Sequence, residues 1–517
     1  MYRNKFTNRV RFTLWTCLIA LNIILRIPTT PHEIGWDTFA IHILTNSISE
    51  FGWAMWWVNP LSIGGFYPYS YASVVPFLVS GISQCTGIGM ERTVWLFCAF
   101  IGVSSAFFAY IMAGAIKNND IFKFLVAFGY SVAPGILNFS TWQLSARGCF
   151  MVLLPLFVYL LLKTRTSIIR WSSLSFILLV VLTLTHHLFY FAAAVAFSYV
   201  AAIAFYKLKT HIKVSENFVN LAFIIFFIAV LLLPFFTRNF IQGGRYNWLF
   251  DLVPIYMRYT GVLLVFVIGG FAYLLLKYDK GVTEWFLLFA MLCLAPFLYI
   301  QTYAVWFFIL FAFILAGIGL TNITKVYRQK GRVVFSIIII CLLLSVSFSG
   351  FYQYSRTNME GIHYYNEWYM EDGTYVAGLW IKNNIDKALV CNDGLISMRT
   401  FAISGIPTLT GFGTSDLAYG FTNMSELNIS KVSPLSTVFY LEGPYIRTPH
   451  TAYTGYYVSM LNENDFDGYY GTPIISKFNL SYVIENEDIG DNPFIRSVHR
   501  EKNNIYDNRK IQIWALD

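Results

Sequence analysis

The chain has 517 residues, of which 56% are hydrophobic and 12% are charged, and its formal net charge is +8. Its mean hydropathy is +0.56. A soluble domain carries about twice this share of charged residues, so the composition excludes a soluble protein and indicates an integral membrane protein.

Apolar runs close to the ~20 residues that cross a bilayer recur from residue 12 to residue 350 and then stop. We therefore predict a polytopic α-helical membrane domain over residues 1–350. The eleven predicted spans cover residues 12–27, 93–115, 122–138, 148–163, 171–185, 188–206, 217–236, 255–276, 282–300, 303–321 and 333–350.

The basic residues predict an orientation. With the N-terminus in the cytoplasm and eleven alternating spans, 18 of the 24 Lys and Arg residues before residue 351 fall in cytoplasmic loops. The apolar run 73–89 would reverse every later loop if it crossed, so we predict that it lies on or dips into the outer leaflet. The protein is then a multi-pass plasma-membrane protein with its C-terminus outside.

A long first outer loop, residues 28–92, carries polar groups near its start. If the segment is helical, Glu33 and Asp37 share one face at i,i+4 spacing, and His42 follows about a turn and a half later. Asp37 is the candidate catalytic residue, and Glu33 and His42 are candidate pocket residues. The alternative is that Asp37 only caps the helix.

Further polar groups are predicted on the same side of the membrane. Arginines held outside, against the usual preference for the cytoplasmic side, are candidate ligands of a lipid phosphate or pyrophosphate, which guanidinium binds through two parallel hydrogen bonds. The alternative for each is contact with ordinary lipid headgroups. His186, in a His-His pair, is a further candidate pocket residue. The four candidate arginines are Arg147, Arg238, Arg245 and Arg258.

Residues 351–517 form a predicted second domain outside the membrane. It holds 19 acidic and 12 basic residues, against 9 and 24 in residues 1–350. Short apolar runs between turn sequences favour an α/β fold, with an amphipathic helix at Tyr375–Asn384 and a strand at Ala388–Cys391. Phosphate-loop, dinucleotide-binding and HExxH patterns are absent, which removes sequence support for ATP-driven transport and zinc-protease chemistry.

The chain resembles the GT-C superfamily of polytopic membrane glycosyltransferases, in particular the archaeal and bacterial oligosaccharyltransferase catalytic subunits. The resemblance rests on the arrangement of spans and domains and on four short segments. These are Trp36–His42, Phe66–Tyr69 with the pocket candidate Tyr67, Asn138–Pro155 and Leu379–Asn384.

Two departures from that subfamily are present. Ala146-Arg147-Gly148 stands where those enzymes carry a second acidic pair, and Val390-Cys391-Asn392-Asp393-Gly394 stands where they carry the acceptor-binding Trp-Trp-Asp motif. The pattern is closer to a mannosyl- or aminoarabinosyl-transferase type of GT-C enzyme, such as the protein mannosyltransferases, which moves one sugar to a hydroxyl group.

The resemblance implies a glycosyltransferase that takes a sugar from a polyprenyl-phosphate or pyrophosphate donor on the outer face. Asp37 would act as base in an inverting displacement. The expected partners are the lipid-linked donor, membrane lipids and a glycan, lipid or protein acceptor, without nucleic acid. We expect no cofactor; if Mg²⁺ or Mn²⁺ is needed, Asp37 is the candidate ligand. The alternatives are a transporter or flippase of lipid-linked or small substrates, and a non-catalytic scaffold.

Overall fold

The structure is a computed structural model that describes residues 6–212, 215–237, 247–299, 304–326, 331–357, 369–391, 393–422, 429–434, 436–447, 471–487 and 493–516. The described residues belong to two compact units. One contains Met1–Ile27, Ala99–Thr141 and Arg147–Arg356, and we call it the membrane unit. The other contains Pro28–Cys98, Trp142–Ala146 and Thr357–Asp517, and we call it the mixed unit. The boundary predicted at residue 350 stays a prediction.

The membrane unit and the helix that joins it to the mixed unit are α-helical. The helices are α1 (Asn8–Ile24), α4 (Met90–Ile116), α5 (Asp120–Val132), α6 (Pro134–Leu137), α7 (Ala146–Lys163), α8 (Ile168–Thr185), α9 (Phe189–Ile212), α10 (Glu216–Thr237), α11 (Asn247–Thr260), α12 (Leu264–Leu276), α13 (Val282–Leu294), α14 (Ala304–Val326) and α15 (Gly331–Thr357). The eleven predicted spans fall on helices where the structure describes them, although residues 122–138 and 255–276 each cover more than one helix. In the described part of the chain, eight segments are long and apolar enough to cross a membrane.

Close helix packing in the membrane unit depends on small residues. Gly270 of α12 lies against α14, where a Cβ atom at this position would come within 1.9 Å of the Leu315 carbonyl oxygen. Without a hydrophobic driving force between helices in lipid, such close backbone approach supplies the packing energy.

The first outer loop folds within the mixed unit. It contains α2 (Trp36–Phe51) and α3 (Val74–Thr86). The 13 residues of α3 span about 20 Å at 1.5 Å per residue, which is short of the ~30 Å hydrocarbon core. This length agrees with the prediction that residues 73–89 do not cross the membrane; their position at the outer leaflet stays a prediction.

The C-terminal part of the mixed unit is a five-stranded sheet covered by helices. Its helices are α16 (Asp372–Asn384), α17 (Gly394–Ser404), α18 (Gly413–Ala418), α19 (Thr437–Glu442), α20 (Gly471–Phe478) and α21 (Pro493–Glu501). Its strands are β1 (Ala388–Cys391), β2 (Thr408–Leu409), β3 (Ile429–Lys431), β4 (Tyr445–Arg447), β5 (Leu480–Asn486), β6 (Asn503–Asp507) and β7 (Ile511–Ala515). The strand order is β2-β1-β5-β7-β6, and β3 pairs with β4 separately.

The sheet is parallel over β2-β1-β5 and antiparallel over β5-β7-β6. Neighbouring residues of one strand point to opposite faces, and both faces are buried. Leu389 packs with Ile381 of α16 on one face, whereas Val390 packs with Ile495 of α21 on the other. The predicted fold class, a polytopic helical membrane protein with an α/β domain, is confirmed. The predicted strand has the bounds of β1, and the predicted helix begins three residues early as α16.

Helix α2 packs against the same C-terminal part. Phe39 and Ile43 of α2 form a buried cluster with Met398 and Phe401 of α17. Burying a large apolar side chain is worth about 1.5–3 kcal/mol. The position of the residues at the start of α2 is therefore set by a core and not by a free loop.

Candidate active site

The site is built around the N-terminal end of α2. Gly35 is the N-cap, with a φ of 95°. A Cβ atom at Gly35 would lie 2.7 Å from the Gln143 side chain. The backbone conformation and the close approach of Gln143 both require glycine here. The helix therefore begins at Trp36, and Asp37 occupies its first turn.

A segment just before α7 is hydrogen-bonded to this helix end. The Ile34 amide donates to the Trp142 carbonyl at 3.2 Å. The Leu144 amide donates to the Thr38 hydroxyl at 2.8 Å, and that hydroxyl donates to the Ile34 carbonyl at 2.5 Å. These bonds hold residues 142–145 beside the first turn of α2.

The same segment orients the candidate catalytic acid. The Ser145 hydroxyl donates to Asp37 Oδ2 at 2.8 Å, and Asp37 is half-buried. The alternative prediction made Asp37 the cap of the helix, but the cap is Gly35 and forms no side-chain cap bond. Asp37 is thus a half-buried carboxylate that is oriented by a side-chain hydrogen bond.

Glu33 lies in a different environment from the one that the sequence predicted. It precedes α2, so it doesn't share a helix face with Asp37, because the helix begins only at Trp36. Its side chain is fully buried, and Oε1 lies 2.6 Å from Nδ1 of His42. Burial raises the pKa of Glu33, and the attraction of His42 opposes that shift in part. The result is a closed acid–imidazole pair.

A second acid–histidine group lies close to this pair. Nδ1 of His32 lies 3.2 Å from Glu91 Oε1, and the ring of His32 stacks on Tyr375 with 3.7 Å between ring centroids. The Tyr375 hydroxyl donates to Glu91 Oε2 at 3.4 Å. Burial, and then the charge of Glu91, raise the pKa of Tyr375. The phenol therefore stays a donor at neutral pH.

In the membrane unit, Arg147 lies in the first turn of α7, and its guanidinium group contacts two aromatic rings. Its guanidinium carbon lies 5.2 Å from the centroid of the Phe139 ring and 5.7 Å from that of Trp306. Cation–π contacts of this kind hold an arginine in place without using its hydrogen-bond donors on an acid.

The predicted pocket residue His186 lies beside Arg147 in the membrane unit. It occupies the short connection between α8 and α9, and its ring lies 4.1 Å from that of His187. The pKa of His186 is lowered by loss of hydration first, and then by the charges of His187 and Arg147. Burial, and then the charge of Arg147, lower the pKa of His187 to about 3. Both imidazoles are therefore neutral, and Arg147 supplies the positive charge.

The remaining candidates have more scattered positions. Arg258, near the end of α11, donates from Nε to the Tyr352 hydroxyl at 2.6 Å. The ring centroid of Tyr67, in the mixed unit, lies 5.8 Å from that of Tyr445. Arg238 and Arg245 lie outside the described residues.

The described residues offer few ligands for a divalent metal ion. Among the residues that the structure describes, no three His, Cys, Asp or Glu side chains lie close enough to hold one ion. Mg²⁺ requires about six oxygen ligands and usually takes one or two protein carboxylates besides waters and phosphates. Asp37 can supply one such ligand, and the described residues do not fit a site built from protein ligands alone.

Solved structures identify the fold. The oligosaccharyltransferase of Archaeoglobus fulgidus, crystallised with Zn and sulfate, matches 92% of this chain and 68% of its own, with a TM-score of 0.59 and 12% identity. ArnT from Cupriavidus metallidurans, bound to undecaprenyl phosphate, matches 98% of both chains, with a TM-score of 0.52 and 11% identity. The chain therefore has the fold of the GT-C membrane glycosyltransferases, and the predicted resemblance is confirmed at the level of fold. No protein-family model matches the sequence, and no curated protein does.

The sequence did not predict a role in the site for two polar residues, Ser145 and Glu91. Ser145 lies in the segment that drew attention to Arg147, but a serine two residues earlier gives no signal of its own. Glu91 is the first acid of α4, and its link to His32 and Tyr375 joins residues that are up to 284 positions apart. Such contacts require the folded chain.

Proposed function

We propose that the protein is a glycosyltransferase that moves a sugar from a polyprenyl-phosphate or pyrophosphate carrier to an acceptor hydroxyl. The observation that carries the proposal is the fold shared over 98% of both chains with a protein whose crystal structure contains undecaprenyl phosphate. The positioned carboxylate of Asp37 supports it from the chain's own residues.

The proposed reaction is a single displacement with inversion. The acceptor hydroxyl gives its proton to Asp37, its oxygen forms a bond to the sugar C1, and the bond from C1 to the phosphate oxygen breaks. The lipid phosphate leaves with the electron pair as a stable anion, so no general acid is required. General-base assistance of this type contributes about 10²–10⁴ in rate.

Arg147 would neutralise the charge that develops on the leaving phosphate. Its guanidinium lies over the Phe139 and Trp306 rings, and the pKa values of the neighbouring imidazoles are lowered. Arg258 is a second candidate for the same role, and Arg238 and Arg245 stay predictions. No cofactor enters the proposal.

The direct test is turnover. Purified protein is incubated with a panel of polyprenyl-phosphate sugars, with and without candidate acceptors, and release of free lipid phosphate is measured. Sugar-dependent release that Asp37→Asn abolishes supports the proposal, whereas lipid movement across a vesicle bilayer without release supports a flippase. EDTA, followed by Mn²⁺ or Mg²⁺, tests whether a metal takes part.

The outer-face location has its own test. Single cysteines placed at residues 117–122 and 163–170 should be shielded from a membrane-impermeant reagent, while one placed after Gly350 should react. Labelling at residue 117 from outside would mean that residues 73–89 form a true span, and the proposed orientation would be wrong.

A further inference from the structure

A separate polar pocket lies within the mixed unit. It has a volume of about 370 Å³ and is walled by α2, the N-terminal end of α4, α16 and the end of α17. Its polar lining consists of His42, Asn46, Glu91, Arg92, Tyr375, Lys382 and Ser404. Asp37 is not among the lining residues, although the pocket shares His42 with the predicted substrate residues.

The charged residues that line the pocket favour a negatively charged ligand. Glu91 is engaged by His32 and Tyr375. Arg92 and Lys382 are exposed, and neither forms an ion pair with the residues that the structure describes. One carboxylate committed to internal bonds and two open cations favour an anion in the pocket.

The remaining polar groups are oriented for hydrogen bonds. The Asn46 amide donates to the Ala402 carbonyl at 3.1 Å, which orients its oxygen. Nδ1 of His42 is bonded to Glu33, so Nε2 is the ring atom left for a ligand. An amide, an imidazole and a phenol beside a short apolar surface at Leu379 are the groups that recognise the hydroxyls and C–H faces of a sugar.

Size and shape narrow the ligand class. The volume lies near the lower end of the roughly 300–1,000 Å³ of small-molecule pockets and equals the space of about a dozen water molecules. One face of the Tyr375 ring is already stacked on His32, which leaves at most one face of this ring for a ligand. The polar walls do not suit a lipid chain.

We propose that this pocket binds one or two sugar units that carry an anionic group, held by Arg92 and Lys382. The site would be occupied independently of Asp37 and of the proposed transfer reaction. A carboxylate, as in a uronic acid, and a phosphate ester present the same chemistry to the two cations, because guanidinium accepts either group through paired hydrogen bonds.

The test is ligand binding to the full-length protein in detergent. Glucuronic acid, glucose 6-phosphate, glucose and inorganic phosphate are titrated in turn, and dissociation constants are measured by calorimetry or ligand-observed NMR. An acidic sugar should bind at least tenfold more tightly than glucose and than phosphate alone. Preference for glucuronic acid or for glucose 6-phosphate then identifies the anionic group.

Variants assign the binding to this pocket. Arg92→Gln and Lys382→Gln should each weaken binding of the acidic sugar about tenfold. This is the lower end of the range expected for loss of a hydrogen bond to a charged group. Leu379→Trp, at an exposed wall position, should block binding by filling the mouth of the pocket. Lys431→Gln, which removes an exposed lysine on β3 of the same unit, is the matched control and should change nothing. Asp37→Asn should also leave the affinity unchanged.

Several outcomes would overturn the proposal. They are equal binding of glucose, phosphate binding as tight as that of the acidic sugars, and affinities that Arg92→Gln and Lys382→Gln leave intact. Absence of binding at millimolar concentrations would do the same. Because the readout is affinity, failure here leaves the transfer proposal standing, and loss of turnover would not alter this result.

Discussion

Two carboxylates four residues apart in the mixed unit differ in their surroundings. Asp37 is half-buried and accepts one hydrogen bond from Ser145, whereas Glu33 is fully buried and faces His42. A base that acts on a bound substrate needs an open, oriented oxygen, which Asp37 has and Glu33 lacks. Both acids look equally suitable as a base in the sequence, and only their environments in the folded chain distinguish them.

The largest expected effect is that of Asp37→Asn. Loss of the base should lower turnover about 10²–10⁴-fold, which corresponds to about 3–5 kcal/mol of transition-state stabilisation. Donor binding and the melting temperature should stay near wild type, because Asp37 is neither in a core nor the helix cap. Rates of lipid-phosphate release and donor affinity are the measurements.

The control for this variant is Glu50→Gln, which removes an exposed carboxylate from the other end of α2. It should keep wild-type turnover. If Asp37→Asn retains more than about a tenth of the activity, a loss below ~1.4 kcal/mol, then Asp37 has no catalytic role.

Arg147→Ala should have the next largest effect, in both kcat and KM. A phosphate contact exists in the ground state and the transition state, so donor affinity should fall about 10–100-fold along with the rate, as expected for a charged hydrogen bond worth about 1.5–3 kcal/mol. Arg147→Lys should restore part of the affinity because it keeps the charge. Arg170→Ala, at the start of α8, serves as control, and an unchanged donor affinity in Arg147→Ala would remove this residue from the donor site.

Ser145→Ala sharpens the comparison because it releases Asp37 without removing it. Loss of one hydrogen bond to a carboxylate costs about 1.5–3 kcal/mol at most, so kcat should fall by a factor of about 10–100 while donor affinity stays constant. Ser145→Thr keeps the hydroxyl and should recover most of kcat. Equal losses in Ser145→Thr and Ser145→Ala would show that shape, and not the hydrogen bond, matters at this position.

Glu33→Gln should affect activity least and the pH dependence of stability most. Burial raises the pKa of Glu33 above the 4.5 of an exposed glutamate, so the folded protein binds this proton more tightly than the unfolded chain. The free energy of unfolding should therefore decrease as the pH rises from about 4.5 through the folded-state pKa. Glu33→Gln removes this contribution and should flatten the profile.

Thermal unfolding of wild type and Glu33→Gln at several pH values from 4.5 to 8 measures this difference. Asp386→Asn, which removes an exposed carboxylate from the same unit, should follow the wild-type curve. A wild-type profile that rises over this range relative to Glu33→Gln would mean that the His42 attraction outweighs burial, and Glu33 would then be an ionised partner.

Much of the architecture was predictable because it depends on local composition. Runs of apolar residues near the thickness of a bilayer marked the helices of the membrane unit, and the short apolar run at Ala388–Cys391 marked β1. The position of Asp37 at the head of a helix was also correct. The shared face of Glu33 and Asp37 was wrong, because Gly35 starts the helix only after Glu33.

The sequence by itself determined the fold class, the approximate spans and the acid at the start of α2, since hydropathy and helix periodicity are properties of neighbouring residues. Only the tertiary structure decided that Ser145 orients Asp37 across 108 positions and that Glu33 is buried against His42. It alone brought Arg92 and Lys382 to one pocket. Hydration, burial and hydrogen-bond partners depend on which segments pack together, and that information lies in the folded chain.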